Sequence, residues 1–387
     1  MKRLFSFIYP FTDFLYILQL EEYETARYLK TIKRLWLKRN LQKRGHLVFT
    51  KRVQAILILI FPFALLTPPL VPFWIGISNV VLTPYFEKVK LSIQKRAQKS
   101  FVSKNTKTKV IAIAGSYGKT TTKNYIFELI KYNYKTQMIP GNVNTPTGIA
   151  NWILSNFDPT SEVLIVEVDT YYSGEIKKSL AITPPDIAIL TNIGDQHLER
   201  FKTKDNLKSA LLEIFTYAKA NSIHIKNKKN NLEIALEVAR ILNVPADIVN
   251  DTCKKLQNPD RRGDIKNIYG YTVIDQSYNI SFTTAQAAIK SAEEIAHTSN
   301  KKLIVITAGI PELGKENIDA NRELGEILAE KSDRTILLKS ILYKEVYNDS
   351  NKFVLAQDLA EAFSLLTDFD QNEVIVLLLP ELNDLYY

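Results

Sequence analysis

The segment Gly115-Ser116-Tyr117-Gly118-Lys119-Thr120-Thr121 carries the residue types that phosphate recognition needs. Its glycines let backbone N–H groups approach phosphate oxygens, and a helix starting at the lysine adds its positive end. Lys119 is long enough to reach β- and γ-phosphates, and the Thr120 hydroxyl suits Mg²⁺. The segment follows the apolar run Lys109–Ala114 (KVIAIA) and precedes a helical pattern, the context that separates a phosphate loop from a chance Gly-rich turn. Position 113, glycine in the longer loop pattern, is Ile113, so the match is to the shorter GxxGKT form. Two more residues stand at strand ends. Glu167 lies at the end of the run Val163–Val168, where a hard oxygen ligand for Mg²⁺ belongs, with Asp169 a weaker candidate. His197, one of four histidines, lies just past the run Asp186–Asn192; a satisfied structural histidine is the alternative reading. His224 and His297 have no supporting motif.

These residues need a scaffold. From residue 108 onward apolar runs of strand length alternate with helical periodicity, which predicts an α/β fold with a parallel sheet and helices on both faces. A second set follows, with strands expected over Tyr271–Gln276, Leu303–Ala308, Thr335–Leu338 and Val374–Leu379. Helices are expected over Thr284–His297, Asp319–Lys331 and Gln357–Leu366. This reads as a smaller Rossmann-like domain. The polar stretch Gln257–Asp264 (QNPDRRGD) is the hinge between the two. The expected organisation is a basic helical region over 1–52, a membrane hairpin and linker over 53–107, an ATP-binding domain over 108–257 and a C-terminal domain over 258–387.

The net charge is +9, but its placement excludes a nucleic-acid groove. Ten basic residues and no acidic one lie between Arg27 and Arg52, so subtracting them from +9 leaves −1 for the rest. An uncharged run from Gln54 to Phe86 follows, with lysines or arginines on both sides. It exceeds the roughly 20 residues of a span, and Pro62, Pro68, Pro69 and Pro72 argue against one straight helix. Positive flanks at both ends favour a hairpin with both ends cytoplasmic. The first twenty residues read as an uncleaved amphipathic helix, and the basic segment as lying on an anionic leaflet, which makes membrane lipid a partner. A buried helix pair in a soluble domain is the alternative. The single cysteine, Cys253, excludes an intramolecular disulfide and a cysteine-cluster metal site.

Taken in order, the motifs resemble the Mur ligase family. The phosphate loop matches the family's loop, and Gly141-Asn142-Val143-Asn144-Thr145 resembles its substrate-facing GN element. Val166-Glu167-Val168, Gly174-Glu175-Ile176 and Thr191-Asn192-Ile193-Gly194-Asp195-Gln196-His197-Leu198 resemble three further elements. Asp275-Gln276-Ser277-Tyr278-Asn279 and Pro311-Glu312-Leu313-Gly314 resemble elements of the branch that adds D-alanyl-D-alanine, the nearest in pattern. The resemblance implies ATP and Mg²⁺ as cofactors, with Gly115 to Thr121 and Asn279 binding ATP. It implies Thr120, Glu167 and His197 as metal ligands and Asn142, Asn144 and Thr145 facing substrate. It implies that Arg261, with Arg262 the alternative, reaches the γ-phosphate. Lys119, Glu167, His197 and Arg261 are then the catalytic set.

Three departures matter. The family's CO₂-modified lysine aligns with Leu211, and Lys208 is one turn off. The second acid of the DDSYN element is Gln276. The family's N-terminal domain for the uridine nucleotide has the apolar segment in its place. The expected activity is ATP-dependent amide bond formation through an acyl phosphate, adding an amino acid or dipeptide to a cell-wall precursor at the cytoplasmic membrane. A ligase acting on another carboxylate, and a membrane-bound ATP sensor without ligation, are the competing readings.

Overall fold

The computed structural model describes the chain except residues 1–10, 36–45, 105–106, 142, 195–197, 229, 259–261, 279, 312, 314–315, 341 and 380–387. The described residues divide into two compact units, one ending at Ser92 and one starting at Ile93.

In the first unit, helices α1 (Phe11–Leu20) and α2 (Thr25–Leu35) precede α3 (Lys51–Leu66). A 3₁₀ turn, Pro68–Leu70, joins α3 to the long helix α4 (Val71–Lys104), and the two helices pack as a hairpin. The prolines explain the break: Pro68 and Pro69 cannot continue the α3 hydrogen-bond ladder. α4, with the turn before it, is the one helix among the described residues long and apolar enough to cross a membrane. Phe14 to Leu18 of α1 are buried, and residues 1–10 of the same expected amphipathic helix lie outside the described residues. Arg52, counted from sequence among surface cations, is also buried. It donates to Asn79 Oδ1 (2.7 Å) and Thr83 Oγ1 (2.7 Å) and lies over the Tyr23 ring. The hairpin supplies the oxygen acceptors that a buried guanidinium requires.

The second unit holds two sheets. The first runs in the order β2-β3-β1-β4-β5, all parallel: β1 Lys109–Ala114, β2 Thr136–Met138, β3 Val163–Glu167, β4 Ile187–Leu190, β5 Ile223–Ile225. Residues of β1 alternate between two cores, as a sheet covered on both faces requires. Val110, Ala112 and Ala114 join one cluster with α6 (Pro146–Asn156), α7 (Glu175–Ile182), α9 (Lys204–Thr216) and the end of α4. Ile111 and Ile113 join the other with α5 (Lys119–Ile130) and α10 (Asn231–Ile241). The short α8 (Leu198–Phe201) leads into α9, and α11 (Ala246–Cys253) closes this half.

The second sheet has the order β10-β9-β8-β11-β7-β6. Its strands are β6 Asp264–Ile268, β7 Tyr271–Asp275, β8 Lys302–Thr307, β9 Arg334–Leu338, β10 Phe353–Ala356 and β11 Val374–Leu378. Helices α12 (Phe282–Thr298), α13 (Asn317–Lys331), α14 (Tyr343–Val346) and α15 (Leu359–Ser364) connect them. The sheet is parallel except for β6, which pairs antiparallel with β7 through the turn at Tyr269-Gly270. That edge strand grows out of the segment read as a polar hinge. Its alternation of half-buried and exposed residues lacks the apolar run that marks an interior strand.

Candidate active site

The site forms at the carboxyl ends of β1, β3 and β4. Chain order reverses there, because β1 is flanked on one side by β3 and on the other by β4. Such switch points open a crevice for ligands. The loop 115–118 leaves β1 and enters α5 with Gly118 in the left-handed region, φ 81°. This conformation favours glycine, and a side chain there would also push the Asn231 amide aside.

The end of β4 braces the loop. Ser116 N–H donates to the Asn192 carbonyl (2.7 Å), and Gly194 N–H donates to Ser116 Oγ (3.0 Å). The Thr191 hydroxyl donates to the Tyr117 carbonyl (2.6 Å), and the Tyr117 ring lies against Gly194. Thr191, Asn192 and Gly194 therefore fix the shape of the phosphate loop. Sequence reasoning tied this segment only to His197 and missed the bracing, because Gly194 and Tyr117 are distant in the chain and meet only in the fold.

Within the loop Lys119 is buried, its ammonium donating to the Gly115 carbonyl (2.6 Å) and lying 3.4 Å from Asp169 Oδ1. The Thr120 hydroxyl donates to Glu167 Oε2 at 2.8 Å. The two expected oxygen ligands are thus adjacent, and their hard-donor chemistry fits Mg²⁺. Among the described residues no group of three His, Cys, Asp or Glu gathers, so this pair carries the fit. Asn144 caps the same corner, its carbonyl accepting from Asp169 N–H (3.1 Å) and its amide reaching Asp169 Oδ2 (3.5 Å). Thr145, expected to face substrate, spends its hydroxyl on the Gly148 N–H as the N-cap of α6. Thr121 is buried in the first turn of α5.

One residue of the site was not singled out from sequence. Lys123 lies one turn beyond Thr120 and is 1% exposed. Its ammonium pairs with Glu167 Oε2 (3.1 Å) and donates to the Ile139 carbonyl (3.0 Å). Burial pushes its pKa down, Glu167 opposes that shift, and the positive charge of Arg262 adds to it. Arg262, itself stacked 3.9 Å over the Tyr278 ring, therefore stands within electrostatic reach of the site. Tyr125 of α5 also donates to Asn258 at the hinge (2.8 Å). On the C-terminal side, Asp275 accepts from the Ser277 hydroxyl (2.6 Å) and pairs with Lys266 (3.0 Å). Burial raises its pKa, but these hydrogen bonds outweigh it and hold the carboxyl below its ordinary range.

Asn142, His197, Arg261 and Asn279 lie outside the described residues. Leu211 is 2% exposed within the central core, beside Val168, Ile176 and Leu207 in the same cluster. Lys208 is on the exposed face of α9.

Residues 113–259 match the family model described as the Mur ligase middle domain. The chain is 35% identical over 142 residues to the UDP-N-acetylmuramoyl-tripeptide–D-alanyl-D-alanine ligase of Rickettsia prowazekii, covering 37% of this chain and 30% of that one. It is 34% identical over 155 residues to the enzyme of the same name from Borreliella burgdorferi, covering 40% and 33%. These matches span about a third of the length of the curated relatives. The fold extends further. The crystal structure of MurF ligase from Thermotoga maritima in complex with ADP superposes with a TM-score of 0.67 at 22% identity, over 75% of this chain and 80% of that one. The central parallel sheet and the mixed C-terminal sheet are thus the Mur ligase arrangement.

Proposed function

We propose that this protein is an ATP-dependent ligase that joins a carboxylate to an amine through an acyl phosphate. The observation that carries the reading is the phosphate loop with Lys119 and the Thr120–Glu167 pair at the switch point. A carboxylate resists amines because its leaving group would be oxide. Attack of the carboxylate oxygen on the γ-phosphorus of ATP releases ADP and gives an acyl phosphate. The amine then attacks the acyl carbon, phosphate departs, and the amine loses a proton.

Phosphoryl transfer asks for positioning and charge neutralisation more than covalent help. The loop N–H groups and the α5 N-terminus bind the phosphates. Lys119 follows the γ-phosphoryl group, leaving its rest position on the Gly115 carbonyl. Thr120 and Glu167 would hold Mg²⁺, which when bound neutralises phosphate charge. Lys123 pairs with Glu167 and holds it in place. Arg262 or the neighbouring Arg261 supplies positive charge from the hinge.

The donor substrate is a cell-wall precursor carboxylate and the acceptor an amino acid or dipeptide, with D-alanyl-D-alanine the first choice. The curated relatives named for that reaction and the Pro311–Gly314 element support this choice. The enzyme works at the cytoplasmic face of the membrane, a placement supported by the uncharged run and the exposed apolar side chains of α3 and α4. The test is product mass spectrometry on the full-length protein in detergent, given ATP, Mg²⁺, UDP-N-acetylmuramoyl tripeptide and D-alanyl-D-alanine. A ligated pentapeptide, absent with Lys119→Ala, is expected. ADP release with a different carboxylate and amine would keep the chemistry and replace the substrate. No ATP consumption with any pair would leave a nucleotide-binding sensor, a reading that the buried Leu211 and Gln276 favour.

A further inference from the structure

We infer that the first unit is an interfacial anchor that lies in one leaflet and does not cross the bilayer, its apolar face in the acyl chains and its basic helix on anionic headgroups. This rests on the membrane placement proposed above and specifies its form.

The hairpin is fixed at both ends. At its open end Arg52 of α3 is bound to Asn79 and Thr83 of α4. At its tip Phe63 stacks on Trp74 with ring centroids 4.4 Å apart, and the Trp74 indole donates to Thr67 Oγ1 (3.0 Å). The arms therefore stay together. The uncharged part of α3, Val53 to Leu66, is about 21 Å long at 1.5 Å per residue, short of the roughly 30 Å hydrocarbon core. A hairpin crosses only if both arms do.

The exposed side chains of α4 fall on one stripe. Phe73, Ile77, Val80, Val81 and Tyr85 are exposed, at the spacing of a single helix face. Val71, Ile75 and Asn79 on the opposite face are buried. The outer half of α3 adds Ile58, Phe61, Leu65 and Leu66. Exposed apolar surface of this extent marks an interaction site.

The neighbour of α4 decides its occupant. Asn79 donates to Thr25 Oγ1 (2.9 Å), and the Tyr28 hydroxyl donates to the Pro72 carbonyl (3.0 Å). The order of these contacts runs α2 antiparallel to α4, toward the hairpin tip. Beyond Tyr28, α2 exposes Lys30, Lys33 and Arg34. Inserting the tip across the bilayer would drag these cations through hydrocarbon, where they are strongly disfavoured. Lying in the interface, the same cations meet anionic headgroups while the stripe enters the acyl region. A lipid surface fits both the apolar stripe and the exposed cations beside it.

The test uses the full-length protein in a Cys253→Ser background, with single nitroxide labels at Phe73→Cys, Ile77→Cys, Val80→Cys or Lys33→Cys. Preformed vesicles are phosphatidylcholine alone or with about 30 mol % phosphatidylglycerol, for which binding should strengthen by on the order of 100-fold. The three stripe labels are expected at one shallow depth, about 5–10 Å below the headgroups, with the Lys33 label in water. A thiol reagent trapped in the vesicle lumen is expected to leave Thr67→Cys unreacted. Lumenal labelling of Thr67→Cys, or depth increasing steadily from Val80 to Phe73, would overturn the inference in favour of a crossing hairpin while keeping the membrane placement. A soluble dimer that binds neither vesicle would overturn both, and ATP turnover by that dimer would leave the ligase chemistry standing.

Discussion

Replacing Lys123 by methionine tests the most buried charge in the site. The side chains of Lys123 and Glu167 are 1% and 4% exposed and meet at 3.1 Å. Methionine keeps much of the apolar stem and removes the ammonium, leaving the carboxylate of Glu167 buried. Breaking a buried pair from one side costs about 3–5 kcal/mol, because the surviving charge is stranded. Glu167 keeps the Thr120 hydroxyl at 2.8 Å, which places the cost near the lower end, about 3 kcal/mol. In a domain of this size that lowers Tm by about 6–12 °C. Glu167→Gln alone strands the lysine on the Ile139 carbonyl. The double variant removes both charges, so its loss should fall short of the sum by about 1–3 kcal/mol. Urea unfolding of the full-length protein in detergent can be followed at Trp152, which packs on the central core, with Trp36 and Trp74 replaced by phenylalanine. A loss below about 0.5 kcal/mol in Lys123→Met, additive with Glu167→Gln, would refute the pairing.

Other outcomes follow from the same geometry. Lys119→Ala should lower the rate of ATP consumption by at least about 100-fold, measured as ADP release, with the fold unchanged by circular dichroism. Gly194→Ala places a Cβ 1.1 Å from the Tyr117 hydroxyl, so the ring must leave and the loop loses its brace. Nucleotide binding, read by a fluorescent ATP analogue, should weaken, and adding Tyr117→Ala should restore part of it by removing the clash. Leu211→Lys should not rebuild a metal site. It buries an ammonium in an apolar cluster, and the loss of several kcal/mol should appear as a central domain that unfolds early in urea. Asp275, held below its ordinary pKa of 3.8, contributes stability that is complete above that value and lost as pH falls through the lower folded value. Ser277→Ala removes one of the bonds responsible, so acid unfolding of the C-terminal domain, followed by circular dichroism, should begin at higher pH.

The sequence shows the residues that recur as motifs more readily than the residues that hold them. KVIAIA and the strands around Glu167 and Leu303 read as buried strands because both faces of a covered parallel sheet are apolar. The edge strands β2, β5 and β10 have only three or four residues each, too few for a periodic signal, and β6 has the composition of a hinge. In the site, Thr120 at the start of α5 lies against Glu167 at the end of β3. Lys123 was not legible, because a lysine in a helix reads as solvated until the packing of α5 against β3 turns it inward. Arg52 shows the same limit: nothing in a run of cations says that one of them is the centre of a buried knot with Asn79, an asparagine 27 residues away. The Thr145 cap illustrates the reverse case, where a residue with a motif-based role also has a local structural one.

The central claim is that the site makes an acyl phosphate, and transfer of a labelled oxygen tests it directly. The donor carboxylate of the muramoyl tripeptide would carry ¹⁸O, and the released phosphate would be weighed by mass spectrometry after one turnover with ATP and the amine. The account predicts phosphate with a single ¹⁸O for the unaltered protein and no labelled phosphate for Lys119→Ala. Phosphate released at the same rate but without label would show that water, not the carboxylate, attacks ATP, and would contradict ligation at this site.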